Sequence, residues 1–172
     1  MPAHRPPSGA AVCRVVVTGV AGSGKTTVGR RLAVELDAEF VDGDSLHSEA
    51  NVAKMAAGIP LVDDDRWSWL ASVRDVLRRH ERVVVACSGL RRVYRDRLRG
   101  HGVRFVHLDL DMATAEERAA RRPGHYMGAG MIASQFDALE PPAADEHEVV
   151  TVDATAEIAA VVGAALAALA AD

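Results

Sequence analysis

Short, continuous apolar runs alternate along this chain with longer stretches in which apolar residues recur every three or four positions. Val12–Thr18 opens the series as a buried strand. Lys25–Leu36 follows with Val28, Leu32, Ala33 and Leu36 on one face, the period of a helix packed on a sheet. Phe40 and Val41 begin a short strand that ends at Asp42-Gly43-Asp44. A polar stretch from His47 through Gly58 predicts a helix with Val52 and Met55 facing inward, stopped by Gly58 and Pro60. Asp64–Arg79 predicts a longer helix whose apolar face is Trp67, Leu70, Val73, Val76 and Leu77, and Trp67 and Trp69 both read as packing residues. Val83–Cys87 has the unbroken apolar character of a strand buried on both faces. Helices over Leu90–Leu98 and Thr114–Arg121 bracket a strand at Phe105–Leu108. A last strand at Val149–Val152 and an alanine-rich helix at Ile158–Leu169 close the chain. This alternation predicts an α/β fold, a five-stranded parallel sheet flanked by helices, in an order that the pattern leaves open.

Composition narrows the class without naming a chemistry. At 172 residues and 49% hydrophobic, the chain can bury one full core, so a flexible leader over 1–11 and a single domain over 12–172 are expected. The net charge of −4 gives no general attraction to nucleic acid. Cys13 and Cys87 both lie in apolar runs and read as buried thiols, not as a disulfide or a metal pair. The opening residues lack an apolar signal segment, and no apolar run reaches membrane-spanning length, so a cytoplasmic protein with no membrane partner is expected.

The chemistry enters at Gly19-Val-Ala-Gly22-Ser23-Gly24-Lys25-Thr26, which fits G-x-x-x-x-G-K-[ST] between a strand and a helix. Glycines let the backbone wrap a phosphate and aim its N–H groups at it, and the helix N-terminus adds a favourable field. Lys25 is placed to reach the β- and γ-phosphate oxygens, and the Thr26 hydroxyl to ligate Mg²⁺. No carboxylate ends the strand at Cys87, so Asp42 and Asp44 are the candidates beside it. If the strand persists, their spacing turns both to one face, one toward a Mg²⁺-bound water and the other toward a substrate hydroxyl. An acidic turn closed on its own backbone is the alternative. Arg66, with Arg91 and Arg92, is a candidate clamp for a substrate carboxylate, against the alternative of solvated ion pairs. The basic, glycine-bearing stretch around Arg118, Arg121, Arg122, Gly124, His125 and Gly128 predicts a lid over about 118–130.

These motifs resemble those of the gluconate kinases, P-loop enzymes related to shikimate and nucleoside monophosphate kinases. The resemblance rests on GVAGSGKTTVG at 19–29, VDGDSLH at 41–47, NVAKMAAGIPLVDDDRWSWL at 51–70, CSGLRRVYRDRLR at 87–99, RRPGHYM at 121–127 and SQFDALEPP at 134–142, which cover most of the chain in family order. It implies transfer of a phosphoryl group from ATP, with Mg²⁺, to the 6-hydroxyl of D-gluconate, by a homodimer. It further implies catalytic roles for Lys25, Asp44 and Arg122, and nucleotide contacts at Gly22, Ser23, Gly24, Lys25, Thr26, Thr27, Arg118 and Arg122. Substrate contacts are implied at Asp44, His47, Lys54, Arg66, Arg91 and His125, with substrate-binding helices over about 45–80. Mg²⁺ falls to Thr26 and, through water, to Asp42. Ser48, Gly89 and Arg91 depart from the residues frequent in that family. A shikimate-kinase-like phosphotransferase is the competing enzyme reading, and a nucleotide-binding regulatory protein the competing non-enzymatic one.

Overall fold

The computed structural model describes residues 11–122 and 129–171. Five parallel strands, β1 (Cys13–Thr18), β2 (Glu39–Asp42), β3 (Arg82–Ala86), β4 (Val103–Asp109) and β5 (Val149–Asp153), form one sheet in the order β2-β3-β1-β4-β5. Seven α-helices accompany them among the described residues: α1 (Lys25–Glu35), α2 (Glu49–Ala56), α3 (Asp63–Arg79), α4 (Arg92–Leu98), α5 (Met112–Ala120), α6 (Ala129–Ala138) and α7 (Ile158–Ala170). The α/β class and the five-stranded parallel sheet are as the sequence predicts.

The central strand shows why its run is unbroken by polar residues. Val15 and Val17 pack on one face with Val28 and Leu32 of α1 and Val161 and Val162 of α7. Val16 faces the other side, against Trp69, Leu70 and Val73 of α3 and Leu98 of α4. Each such side chain stabilises the fold by roughly 1.5–3 kcal/mol, so both faces of β1 must be apolar. The chain leaving β1 runs toward β2, whereas the chain leaving β3 crosses to β4 on the far side of β1. Where connections diverge in this way, a crevice opens at the carboxyl ends of the strands.

Three local expectations change. Val52 is 50% exposed; the residue that α2 buries is the polar Asn51. On α3 the deepest aromatic is Trp69, 2% exposed, while Trp67 is partly buried and meets Tyr94 edge-on with the Arg97 guanidinium over its ring. Helix α6 was not read as an element from the sequence, although it buries Ile132 in the core.

A buried ion pair braces the loop after β3. Arg95 and the Glu146 carboxylate are both fully buried and meet through Nε and Nη2 at 2.9 and 2.7 Å. Arg95 Nη1 donates to the carbonyls of Gly89 at 3.0 Å and Glu140 at 3.1 Å. With the guanidinium paired and its donors satisfied, the desolvation cost of this charge is offset, and the loop carrying Gly89 is fixed in position. Gly89 itself has φ +51°, and an added Cβ would lie 2.7 Å from Thr18 Cγ2, which accounts for glycine at a position where it departs from the resembling family.

Candidate active site

The loop from Gly19 to Gly24 turns at the carboxyl end of β1 and delivers the chain into α1. Gly24 is the residue before the helix, at φ +89°, and no side chain caps the helix start. First-turn N–H groups are therefore left open for an anion, with the helix dipole reinforcing them. Gly22 is held at φ +80°, where a Cβ would fall 2.6 Å from the carbonyl oxygen of Ala115 on α5. Only glycine lets the loop lie that close to α5. Ser23 Oγ is buried without a partner among the described residues, an unmet polar group at the centre of the cradle. Open N–H groups, an orphaned hydroxyl and a lysine together fit a nucleotide's phosphates.

Lys25 Nζ donates to the Val20 carbonyl at 2.9 Å, so the ammonium folds back over its own loop. Burial lowers its pKa, and Asp44 is the largest opposing charge, ahead of Asp42. Arg122 acts on the same ammonium and disfavours its charge. Thr26 is half-buried and Thr27 exposed in the same first turn.

The acidic pair takes a different geometry from the one the spacing suggests. The strand stops at Asp42, and Gly43–Leu46 forms a 3-10 turn in which Asp42 Oδ1 accepts the Asp44 N–H at 3.0 Å. The two carboxylates consequently do not share a strand face: Asp42 closes the turn and Asp44 projects from it, exposed. Gly43 makes the placement possible, since a Cβ there would sit 2.4 Å from the Ala86 carbonyl oxygen. Trp69 Nε1 donates to the Gly43 carbonyl at 2.7 Å and ties the turn to α3.

Asp44 acts electrostatically on both Lys25 and His47, and Arg66 on His47. His47 stacks on Trp69 with ring centroids 4.3 Å apart, and burial lowers its pKa while Asp44 raises and Arg66 lowers it. The Asn51 amide nitrogen donates to the Asp65 carbonyl at 2.7 Å and stands 3.3 Å from His47 Nδ1. An amide NH₂ can only donate, so Nδ1 is the acceptor and the imidazole proton sits on Nε2. Burial pushes the nearby Cys87 thiol up to about 12, leaving it a neutral packing group.

The predicted cations separate into two groups. Arg66 forms no ion pair among the described residues; its Nη2 donates to the Leu61 carbonyl at 3.3 Å, its Nε is buried without a partner, and its guanidinium lies 5.4 Å from the Tyr94 ring centroid. Arg91 is instead engaged by Asp63 at 2.8 Å and Glu140 at 3.2 Å. Arg92 is bidentate to Asp145, at 3.0 and 2.8 Å. Lys54 is held by Asp65 at 2.7 Å, a carboxylate that also accepts the Val62 N–H at the start of α3. Lys54 and Arg91, both expected at the substrate, are each paired with carboxylates in this structure.

On the other side of the phosphate loop, Gly22, Gly24, Arg118 and Arg122 line a cleft of 370 Å³ with residues 155–158. Arg118 Nη2 donates to the Thr155 carbonyl at 3.3 Å. Arg118, on α5, and Arg122, just beyond the end of that helix, both line this cleft. The loop after β5 was not singled out from the sequence, although its place at a strand's carboxyl end marks it. The predicted lid includes Gly124, His125 and Gly128, which lie outside the described residues. Among the described residues no cluster of three or more metal-ligating side chains occurs, and no helix is long and apolar enough to cross a membrane.

A family model for shikimate kinase matches residues 21–169. The thermosensitive gluconokinase of Escherichia coli is 43% identical over 150 residues, covering 84% of this chain and 80% of that protein. The chain belongs to the gluconokinase family. Within the wider shikimate-kinase-related group of P-loop small-molecule kinases, the gluconokinase of Gluconobacter oxydans is 46% identical over 138 residues, covering 77% of this chain and 78% of its own. The crystal structure of a gluconokinase from Sinorhizobium meliloti superimposes with a TM-score of 0.87 at 43% identity, covering 92% of both chains.

Proposed function

We propose that the protein transfers the γ-phosphoryl group of ATP to the 6-hydroxyl of D-gluconate, giving 6-phosphogluconate and ADP. The observation that carries this reading is the phosphate loop with Lys25 at the carboxyl end of the sheet, where Asp44 acts electrostatically on that lysine and on His47, and Arg66, without an ion pair among the described residues, acts on His47. Together they supply a proton acceptor, a phosphate contact and a carboxylate contact. Lys25 and the open first turn of α1 hold the β- and γ-phosphates. Asp44 accepts the proton of the attacking hydroxyl, and Arg66 takes the carboxylate at the far end of the sugar acid. His47 offers its Nε2–H to a substrate hydroxyl. Arg118 and Arg122 hold the nucleotide in the cleft beside residues 155–158, with Arg122 meeting the charge on the transferring group. Thr26 and Asp42 are the residues that would hold Mg²⁺, which would neutralise charge on the phosphate oxygens. Catalysis rests on positioning and fixed charge, which suffices for phosphoryl transfer. The reading includes a homodimer in the cytoplasm.

The shikimate kinase model matching residues 21–169 favours one competing acceptor, shikimate, which also carries a carboxylate. ATP consumption by the purified protein with gluconate, gluconate epimers, shikimate and nucleoside monophosphates separates the two. Gluconate is expected to be turned over with the highest kcat/KM, and turnover of shikimate without gluconate overturns the proposal.

A further inference from the structure

The phosphate loop is gripped at two successive residues by two successive helices. At Gly22 the contact is steric, since the carbonyl of Ala115 on α5 occupies the place of a Cβ. At Ala21 it is a hydrogen bond, the backbone N–H donating to Gln135 Oε1 of α6 at 2.7 Å. Because the Ala21 N–H can only donate, the Gln135 oxygen and not its nitrogen must face the loop. The other hydrogen-bond anchors of the loop among the described residues are backbone contacts or its own lysine: Gly19 N–H to the Ser88 carbonyl, Ser23 N–H to the Val20 carbonyl, and Lys25 Nζ to Val20. Among the described side chains of other elements, Gln135 alone hydrogen-bonds to it.

Helix α6 is itself fixed in rotation. Ile132, 1% exposed, sits in the same core as Ala115, Val20 and Val28, and Phe136 packs against that core one turn further on. With Ile132 and Phe136 inward, Gln135 is set toward the loop by helical geometry. We propose that Gln135 is a positioning residue for nucleotide binding: by holding the Ala21 N–H it orients the Val20–Gly22 segment, so that the N–H groups after it are aligned on the phosphates before nucleotide arrives. The role rests on the kinase reading above, but its first consequence is read without any acceptor substrate.

Gln135→Met keeps the length of the side chain and removes the acceptor. Gln135→Glu keeps the acceptor and adds a charge. Amide hydrogen exchange of the nucleotide-free protein, resolved at Ala21 by NMR, is expected to quicken at least about tenfold in Gln135→Met and to stay slow in Gln135→Glu, with Val15–Val17 unchanged in both. Affinity for Mg-ADP, by calorimetry, is expected to fall several-fold in Gln135→Met. The KM for gluconate should hold while that for ATP rises. Unchanged exchange at Ala21 in Gln135→Met overturns the proposal, as does an exchange rate that rises equally in β1, the mark of a merely structural loss. Unchanged Mg-ADP affinity despite a freed Ala21 amide also overturns it. A protein that binds Mg-ADP as described but phosphorylates no gluconate instead refutes the acceptor assignment and leaves the role of Gln135 standing.

Discussion

Single side chains divide the site into groups that bind and groups that react. Asp44 is the exposed carboxylate of the 3-10 turn, whereas Asp42 has one oxygen committed to the Asp44 N–H. Asp44→Asn is therefore expected to keep Mg-ADP affinity and to lose about 10²–10⁴-fold in turnover, the range for removal of a positioned general base. Single-turnover rates beside calorimetric binding check this, and a loss of binding with turnover intact would exchange the roles of the two aspartates. The Arg66 and Arg91 guanidiniums lie 5.4 and 5.8 Å from the Tyr94 ring centroid. Only Arg91 is neutralised, by Asp63, whose own pKa is lowered first by the Tyr94 hydroxyl and then by Arg91. Replacing Arg66 with Met should raise the KM for gluconate about tenfold or more, the worth of a charged hydrogen-bonded contact, and leave that for ATP near its original value. Equal changes in the two constants would take Arg66 out of the substrate site.

At the scale of elements, the site depends on how closely the turn after β2 approaches β3. Gly43 is what permits it, because a methyl group there meets the Ala86 carbonyl. Gly43→Ala is expected to displace Asp44 and lower kcat/KM about 100-fold, the order seen for a misplacement near 1 Å, with a folded circular-dichroism spectrum. Full activity in that variant would mean that the turn does not position the carboxylate. Elements were legible where burial is uniform: β1 and β3 read directly because both faces pack, and α1 because its stripe faces one core. Helix α2 lies where the pattern predicts, but its inward face differs, because it buries Asn51, whose amide serves His47 and the Asp65 carbonyl, and hydrophobic periodicity cannot see a polar contact made inward. The phosphate loop was legible since its motif carries its own geometry. The pairing of Arg91 with Glu140 and of Lys54 with Asp65 was not, because partners 49 and 11 residues away in sequence meet only through the fold.

For the molecule as a whole, two buried titrating groups predict how acid unfolds it. Burial lowers the His107 pKa to about 4 from its ordinary value of 6.5. Between those values the unfolded chain binds more protons, so stability falls as the pH falls from 6.5 toward 4. The hydrogen bonds of Arg95 hold Glu146 at about 2, against an ordinary 4.5, so the stability it contributes is complete above 4.5 and is lost as the pH falls toward 2. Urea unfolding across this range should show both windows. His107→Asn is expected to flatten the upper window and leave the lower one, and an unchanged slope between 6.5 and 4 would contradict the assignment. Glu146 joins the 143–146 turn to Arg95 and Arg99, so the lower window also reports on the brace behind Gly89.

All of these residues serve one claim, that a phosphate loop, a displaced acidic turn and one unpaired arginine are arranged to phosphorylate the end of a sugar acid opposite its carboxylate. The most direct measurement is phosphorus-coupled proton NMR of the product formed from D-gluconate and Mg-ATP by the purified protein. The account predicts a single phosphate ester whose phosphorus couples to the two C6 protons, formed together with ADP. An ester at any other carbon, or no gluconate product while shikimate is phosphorylated, would contradict it.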